Sequence, residues 1–307
     1  MDATISQARR YDAAVKTYRY LRIAIVALAF WLGTAVAIEM ARGEGWLGSI
    51  SAYYYTPVRS VFVGTLSAMA IGLIAIKGRD HNGEDSLLNV AGMLAPVVAL
   101  VPTPLRPEDV PRPEGVPSTP CPDDRARCVP AEFLPNVENN IQALLVVGAA
   151  ALILVWALVI RQKLLKDYLR PLLVGTAVYA AFTVWFLVDD TRFPLLAHYV
   201  AAVPMFGLIC LVAVRNARSI DPHDTDPRRY PRLRAGTYRL LYKVIAWGIG
   251  VATVLAAVAG VANATKDVDP FPHWVFAVEA ALLALFTAFW ILQTAQFWHD
   301  GIPAEDE

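Results

Sequence analysis

A few ionisable residues lie inside or at the ends of long apolar segments, where a charge is costly and often functional. His198 and Glu279 each interrupt an otherwise apolar run, and Arg59 follows three consecutive tyrosines in the stretch SAYYYTPVRSVFVG. A carboxyl group and an imidazole can exchange protons or bind a polar ligand, whereas an arginine binds phosphate or carboxylate. These residue types predict a polar ligand site or a proton pathway in an apolar medium.

The segments that carry these residues are too apolar for a soluble protein. Of the 307 residues, 56% are hydrophobic and 18% are charged, and the formal net charge is zero. A soluble domain carries more charge, and a chain without net positive charge has no global field to attract nucleic acid. Because about 20 helical residues cross a bilayer and backbone groups in lipid must bond within their own segment, the sequence predicts an all-α polytopic transmembrane bundle.

Eight apolar runs reach or approach the length of a membrane span. They lie at approximately 21–40, 58–77, 87–103, 139–160, 171–188, 194–214, 241–262 and 272–293. The run at 87–103 is short and contains Asn89 and Pro96, so it is either a full span or a re-entrant segment. With both termini inside, 19 of the 27 Lys and Arg residues fall in cytoplasmic segments, as the positive-inside rule requires. We therefore expect a multi-pass protein of the plasma membrane with an N-in, C-in topology.

The predicted organisation follows from these spans. It consists of a cytoplasmic segment at 1–20, three spans within 21–103, an extracytoplasmic loop at 104–138, five spans within 139–293 and a cytoplasmic tail at 294–307. The basic loop at 215–240 is a topology signal or, alternatively, a surface for anionic lipid head groups. Residues 35–37 read AVA, which is typical of signal-peptide cleavage, but Asp2 and Asp12 favour an uncleaved first span.

The external loop contains Cys121 and Cys128 in the stretch CPDDRARC. The space outside the cytoplasm is oxidising, so these two residues predict a disulfide bond. A metal site is the alternative, but two thiolates without a nearby histidine seldom form one. Cys210 falls within a span, where we expect it to act as a small packing residue.

Small residues recur every four positions in two of the spans. Gly64, Ala68 and Gly72 do so in the second span, and the run from Gly248 to Gly260 does so in the seventh. Residues at this spacing share one helix face and let backbones approach closely. The pattern predicts packing within the bundle or, alternatively, the contact face of a homo-oligomer.

The ionisable residues gather near the outer membrane surface when the spans are placed in order. The predicted binding residues are Glu39, Tyr53, Tyr54, Tyr55, Arg59, Asp190, His198 and Glu279. Tyrosine rings at that depth can contact lipid while their hydroxyls contact water, which predicts an interfacial girdle. If their helices adjoin, Arg59, His198 and Glu279 would share an outward-facing pocket rimmed by the tyrosines.

Three interpretations of this cluster stay open. The residues form a network of charges that fixes the helices, or a pocket for a lipid head group or small solute, which a proton-coupled transporter would carry across. The third is a metal-dependent lipid hydrolase resembling the alkaline ceramidases, for which His198, His273 and Glu279 supply three ligands only if their helices converge. The sequence has no phosphate loop, nucleophile elbow, or haem or flavin motif, so we expect no cofactor and favour a binding protein over an enzyme.

The stretch SAYYYTPVRSVFVG resembles a signature of a family of uncharacterised bacterial multi-pass membrane proteins. EDSLLNVAGMLAPVVALVPT at 84–103, AHYVAAVPMF at 197–206 and the acidic Glu279 in FAVEAALLAL extend the resemblance. It implies a helical bundle in a bacterial cell membrane and no settled activity. Members of that family often have a histidine at the position of Tyr55 and an aspartate near Ser60, so chemistry that depends on those two groups is not expected here.

Overall fold

In the computed structural model, the regular secondary structure of the described residues consists of helices. The structure describes residues 2–43, 46–78, 83–112, 118–227, 230, 232–265 and 273–298. The helices in these ranges are α1 (Asp2–Arg42), α2 (Arg59–Ala75), α3 (Glu84–Leu100), α4 (Leu134–Arg161), α5 (Leu165–Val188), α6 (Phe193–Arg218), α7 (Ala235–Thr265) and α8 (Trp274–Gln296). Each predicted span overlaps one helix, so the all-α prediction is confirmed.

Helix length and composition support a membrane protein. Six of the described helices, namely α1 and α4 to α8, are long and apolar enough to cross a bilayer. The other two, α2 and α3, have 17 residues each, which corresponds to a rise of ~25 Å, slightly less than the thickness of a hydrocarbon core. α3 continues as a helix through Pro96. The structure thus supports a multi-pass helical membrane bundle.

Six helices form a ring. Neighbours around the ring are α1 and α2, α2 and α3, α3 and α6, α6 and α7, α7 and α8, and α8 and α1. α4 and α5 pack against each other and against the outer side of α3. The largest fully buried side chains inside the ring include Leu88, Ile209, Tyr242, Phe289 and Trp290. The core of the protein therefore lies along the axis of the ring.

Glycines bring neighbouring helices of the ring into close contact. A Cβ atom added to Gly72 would lie 2.9 Å from Ile25 of α1, and one added to Gly248 would lie 2.8 Å from Leu285 of α8. At Gly92 of α3, an added Cβ would lie 2.8 Å from the carbonyl oxygen of Ala70 on α2. These distances are too short for a side chain, so the small residues pack within the protein. At Gly64, in contrast, an added Cβ would meet no atom within 4 Å.

Large apolar side chains cover the outer surface. Val146 and Ile153 of α4 are each 70% exposed, and Leu187 of α5 is 72% exposed. A continuous apolar surface of this kind is rare on a soluble monomer, whereas acyl chains solvate it without penalty. The outer faces of α4 and α5 are therefore suited to contact lipid.

The loop between α3 and α4 closes one end of the bundle, which we call the disulfide end. Cys121 and Cys128 form a disulfide bond, which confirms the prediction from the sequence. Leu105 and Cys128 pair through two backbone hydrogen bonds of 3.1 and 3.0 Å. Leu105 and Val110 also pack against the buried aromatic side chains that precede α2. The loop is thereby fixed to the ends of the ring helices.

Candidate functional site

Glu279 of α8 caps a short 3₁₀ helix, Ser51–Tyr55, in the connection between α1 and α2. Its Oε2 accepts the backbone N–H of Ser51 at 3.0 Å, and its Oε1 accepts the Ser51 hydroxyl at 2.8 Å. The first N–H groups of a helix have no partner within the helix and favour a negative charge nearby. The carboxylate therefore holds the first turn of this connection against α8.

His198 of α6 is 3% exposed and binds the end of α3. Its Nδ1 lies 2.8 Å from the carbonyl oxygen of Val101, the residue that follows the last turn of α3. A carbonyl only accepts hydrogen bonds, so Nδ1 must carry the proton. In the neutral ring, Nε2 then keeps a lone pair that can accept a hydrogen bond or a proton.

His198 and Glu279 line the same cavity inside the ring, near the disulfide end. The cavity has a volume of about 100 Å³, and its walls are mostly apolar. Its polar lining consists of Ser51, His198, Tyr199, Thr253 and Glu279. None of the described lining residues is Lys or Arg. We call this space the inner cavity.

Thr253 of α7 lines the inner cavity and has an unsatisfied polar group. Its side chain is 8% exposed, and its Oγ1 has no hydrogen-bond partner among the described residues. A buried hydroxyl without a partner is unfavourable, because the group has lost its hydration without replacement. The hydroxyl oxygen is fully buried, so a ligand or water in the cavity would reach it only after rotation of the side chain.

A smaller space, the outer pocket, lies next to the inner cavity and has a volume of about 60 Å³. Its lining includes Asp109, Arg127 and His273, so it is more polar than the inner cavity. Tyr199 and Val275 line both spaces and form the wall between them. The hydroxyl of Tyr199 lies 2.7 Å from Oγ1 of Thr103, another residue of the outer pocket.

The three consecutive tyrosines do not form the predicted interfacial girdle. Tyr53 and Tyr54 are each 1% exposed and Tyr55 is 5% exposed, so their rings lie inside the protein. The hydroxyl of Tyr55 donates to the carbonyl oxygen of Thr103 at 2.9 Å, and burial raises the pKa of Tyr55 well above its usual value. These rings are a packing layer that joins the loop before α2 to the loop after α3.

Arg59 does not share a pocket with His198 and Glu279, contrary to the expectation from the sequence. Its guanidinium lies over two rings, 5.0 Å from the centre of Tyr54 and 4.5 Å from the centre of Phe133. Its Nε donates to the carbonyl oxygen of Tyr54 at 3.0 Å. The cation is therefore held by aromatic faces and a backbone carbonyl, outside the lining of the inner cavity.

The other predicted acidic residues also lie apart from the inner cavity. Glu39 is half-buried near Tyr53, where its negative charge adds to burial in raising the pKa of that tyrosine. Asp190 is exposed and accepts a hydrogen bond from Thr191 at 3.2 Å. Asp190 therefore belongs to the turn between α5 and α6.

The three residues considered for a metal site do not converge. His273 lines the outer pocket, where its ring lies 6.1 Å from the ring of Trp46, whereas His198 and Glu279 line the inner cavity. Within the described parts of the chain, no three His, Cys, Asp or Glu residues are grouped closely enough to hold a metal ion. His81 and His299 lie outside the described residues.

A second polar cluster, which the sequence analysis missed, lies at the opposite end of the ring. Oε1 of Glu84 accepts hydrogen bonds from the amide groups of Asn216 at 2.9 Å and Gln293 at 3.0 Å. Arg22 donates to the carbonyl oxygen of Gln293 at 3.0 Å and to the hydroxyl of Tyr18 at 2.7 Å. These side chains are all buried and connect α1, α3, α6 and α8.

On α6 and on α8, the residue of the second cluster lies nearly a whole number of helical turns after the residue of the inner cavity. Asn216 follows His198 by five helical turns on α6, and Gln293 follows Glu279 by about four turns on α8. Each pair therefore lies on nearly the same face of its helix. This spacing is the signal in the sequence that would have revealed the cluster.

The fold and the two polar clusters define a multi-pass helical protein with a partly open cavity in its ring of helices. No protein-family model, curated protein or solved structure matches the chain. Its function must therefore be inferred from the geometry of its own residues.

Proposed function

We propose that this integral membrane protein binds a small solute in the inner cavity. The observation that carries the proposal is that His198 and Glu279, the ionisable residues of the apolar runs in α6 and α8, line one cavity. Such residues are costly in a membrane and usually serve a binding site or a pathway. The surrounding apolar walls are typical of small-molecule sites, in which a few polar groups fix the orientation of the ligand.

A small solute fits the inner cavity better than a phosphate head group. Phosphate recognition normally requires Arg or Lys, and none lines the described cavity. Arg59 is instead occupied by the rings of Tyr54 and Phe133. Cavities of ~150 Å³ admit a ring of six carbons, so about 100 Å³ suits a molecule with a few non-hydrogen atoms.

The proposed topology is an eight-span bundle in the plasma membrane of a bacterium, with both termini in the cytoplasm. The excess of Lys and Arg in alternate loops supports this orientation. α2 and α3 belong to the ring of apolar helices, which supports their inclusion among the spans despite their length. In this topology the disulfide end faces outward, and the inner cavity lies in the outer half of the membrane.

Proton-coupled transport is a second candidate function. It is favoured by the placement of half-buried Glu279 and buried Glu84 at opposite ends of the same ring of helices. Carboxylates inside membrane segments serve as proton relays in pumps and transporters. In reconstituted vesicles, Glu279→Gln and Glu84→Gln should each abolish solute-dependent proton movement. If solute binds but no proton moves, the protein is a binding protein.

Filling the inner cavity tests the proposed binding function. Ala202 lines the cavity, whereas Val200 on the same helix is 45% exposed on the outer surface. Ala202→Trp should abolish the calorimetric binding of small amines and alcohols to the purified protein, and Val200→Trp should leave it unchanged. Binding that survives in a folded Ala202→Trp variant would place the ligand elsewhere and contradict the proposal.

A further inference from the structure

We infer that the solute is a small primary ammonium ion with a short apolar tail. This inference rests on the proposed binding function and specifies its ligand. The charge of the inner cavity, the hydrogen-bonding groups that line it and its size support this ligand class.

The charge of the inner cavity favours a cation. Glu279 supplies a carboxylate, and no Lys or Arg side chain is found among the described lining residues. The two hydrogen bonds from Ser51 come from neutral donors, so they stabilise the carboxylate without cancelling its charge. A charge in a low-dielectric space is strongly stabilised by an opposite charge, so a bound cation would be favoured and an anion repelled.

The hydrogen-bonding groups of the inner cavity fit an ammonium group. An ammonium has three N–H donors and no acceptor, so its site must offer acceptors. Glu279 has lone pairs left beside the bonds from Ser51, and His198 offers Nε2 in the neutral ring. Thr253 lines the same space and would offer its unpartnered hydroxyl oxygen as a third acceptor after rotation of its buried side chain. The three donors of an ammonium group would then each have an acceptor.

The remaining walls select an apolar tail of limited length. They are formed largely by apolar side chains such as Leu32, Leu66, Phe62, Phe206 and Leu282. With a volume of about 100 Å³, the cavity accommodates an alkylammonium ion with a chain of a few carbons.

Three molecules of matched size and different charge test this inference. They are butylammonium, 1-butanol and butyrate, titrated into the purified full-length protein in detergent at pH 7 by calorimetry, with Ala202→Trp as the blank for partition into micelles. We expect butylammonium to bind at least about tenfold more tightly than butanol, and butyrate not to bind, because hydrogen bonds to charged groups exceed those to neutral groups in strength. If butanol or butyrate binds as well as butylammonium, the ligand class is wrong while the binding function stands. If none of the three binds, the proposed function itself fails.

Two variants test which side chains cause the preference for butylammonium over butanol. Glu279→Gln keeps the shape of the side chain and removes its charge, so the preference for butylammonium over butanol should disappear. Thr253→Val keeps the shape of that residue and removes its hydroxyl oxygen, so it should weaken butylammonium binding about fivefold without affecting the connection held by Glu279. A folded Glu279→Gln variant that keeps the preference would overturn the inference. If that variant does not fold, unchanged butylammonium affinity in Thr253→Val would do so.

Discussion

Glu279 and Ser51 are 228 residues apart in the chain and are joined by two hydrogen bonds, of 3.0 Å from the backbone N–H and 2.8 Å from the hydroxyl of Ser51. One carboxylate thus closes the ring of helices at the disulfide end and contributes the charge of the inner cavity. A binding group that also anchors a loop can couple the occupancy of the cavity to the position of that loop.

Ser51→Ala should destabilise the protein because it removes the hydroxyl donor to the Glu279 carboxylate. Loss of a hydrogen bond to a charged group typically costs ~1.5–3 kcal/mol. Thermal unfolding in detergent measures the effect, and Ser60→Ala, at an exposed position of α2, is the matched control. Equal unfolding temperatures for the two variants would show that the contact between Ser51 and Glu279 contributes nothing to stability.

Glu84→Leu should destabilise the protein more strongly than Ser51→Ala. The substitution removes an acceptor that the buried amide groups of Asn216 and Gln293 share, and each buried N–H that loses its partner costs ~1–3 kcal/mol. Glu138→Leu, at an exposed position of α4, is the control for replacing a glutamate by leucine. In a double-mutant cycle, Glu84→Leu and Asn216→Leu should be non-additive, and additive effects would contradict a direct interaction.

Gly92→Ala should destabilise the contact between α2 and α3. The new Cβ would lie 2.6 Å from Cγ1 of Ile74 and 2.8 Å from the carbonyl oxygen of Ala70, and a backbone oxygen cannot rotate away. Overpacking of this kind costs ~1–3 kcal/mol. Gly207→Ala on α6 is the control, because its Cβ would meet no atom within 4 Å. Unfolding temperatures that fall equally in both variants would rule out the proposed close approach.

The disulfide bond provides a test of topology. An impermeant thiol reagent added to intact cells should label Cys121 and Cys128 only after mild reduction, if the disulfide end faces outward. The remaining cysteine, Cys210, lies within α6 and is half-buried. Cys210→Ala therefore removes any background labelling of this residue. Labelling that requires permeabilised cells would reverse the proposed orientation.

The fold was predictable from the sequence to the level of its helices, because uncharged runs of spanning length can only satisfy their backbone groups as helices in lipid. The order of the helices around the ring was not predictable from the sequence, because it depends on close packing contacts such as that of Gly92 with α2. His198 and Glu279 could be identified because each is the ionisable residue of an apolar run. Thr253 could not, because most threonines in such runs bond their own helix, as Thr287 does with Leu283.

Arg59 shows why the composition of the site was only partly predictable. In the sequence it is the cation nearest to the predicted pocket, and charge alone would direct it towards Glu279. In the fold, Phe133 from the far end of the disulfide loop and Tyr54 from the loop before α2 both contact its guanidinium. Contacts with two aromatic faces compete successfully with a distant carboxylate, and neither contact can be read from local sequence.

Tyr199 should control access to the inner cavity from the disulfide end. Its side chain forms the wall between the outer pocket and the cavity together with Val275. The hydroxyl bond to Thr103 holds the ring in place, and a Cβ added at Gly260 would lie 3.2 Å from that ring. Removing the ring should therefore open a path between the two spaces.

A cysteine placed in the inner cavity measures this opening without any assumption about the ligand. In a Cys210→Ala background, Thr253→Cys should react slowly with a small methanethiosulfonate reagent supplied from outside. Tyr199→Ala should accelerate the reaction at least about tenfold, and Tyr199→Phe, which loses only the hydroxyl bond, should give an intermediate rate because the bond contributes ~1 kcal/mol. Equal reaction rates in Thr253→Cys alone and in its combinations with Tyr199→Ala and Tyr199→Phe would show that the reagent reaches the cavity by another route, for example between the ring helices from the lipid. A faster rate in Tyr199→Ala alone would assign the barrier to the bulk of the ring rather than to its bond with Thr103.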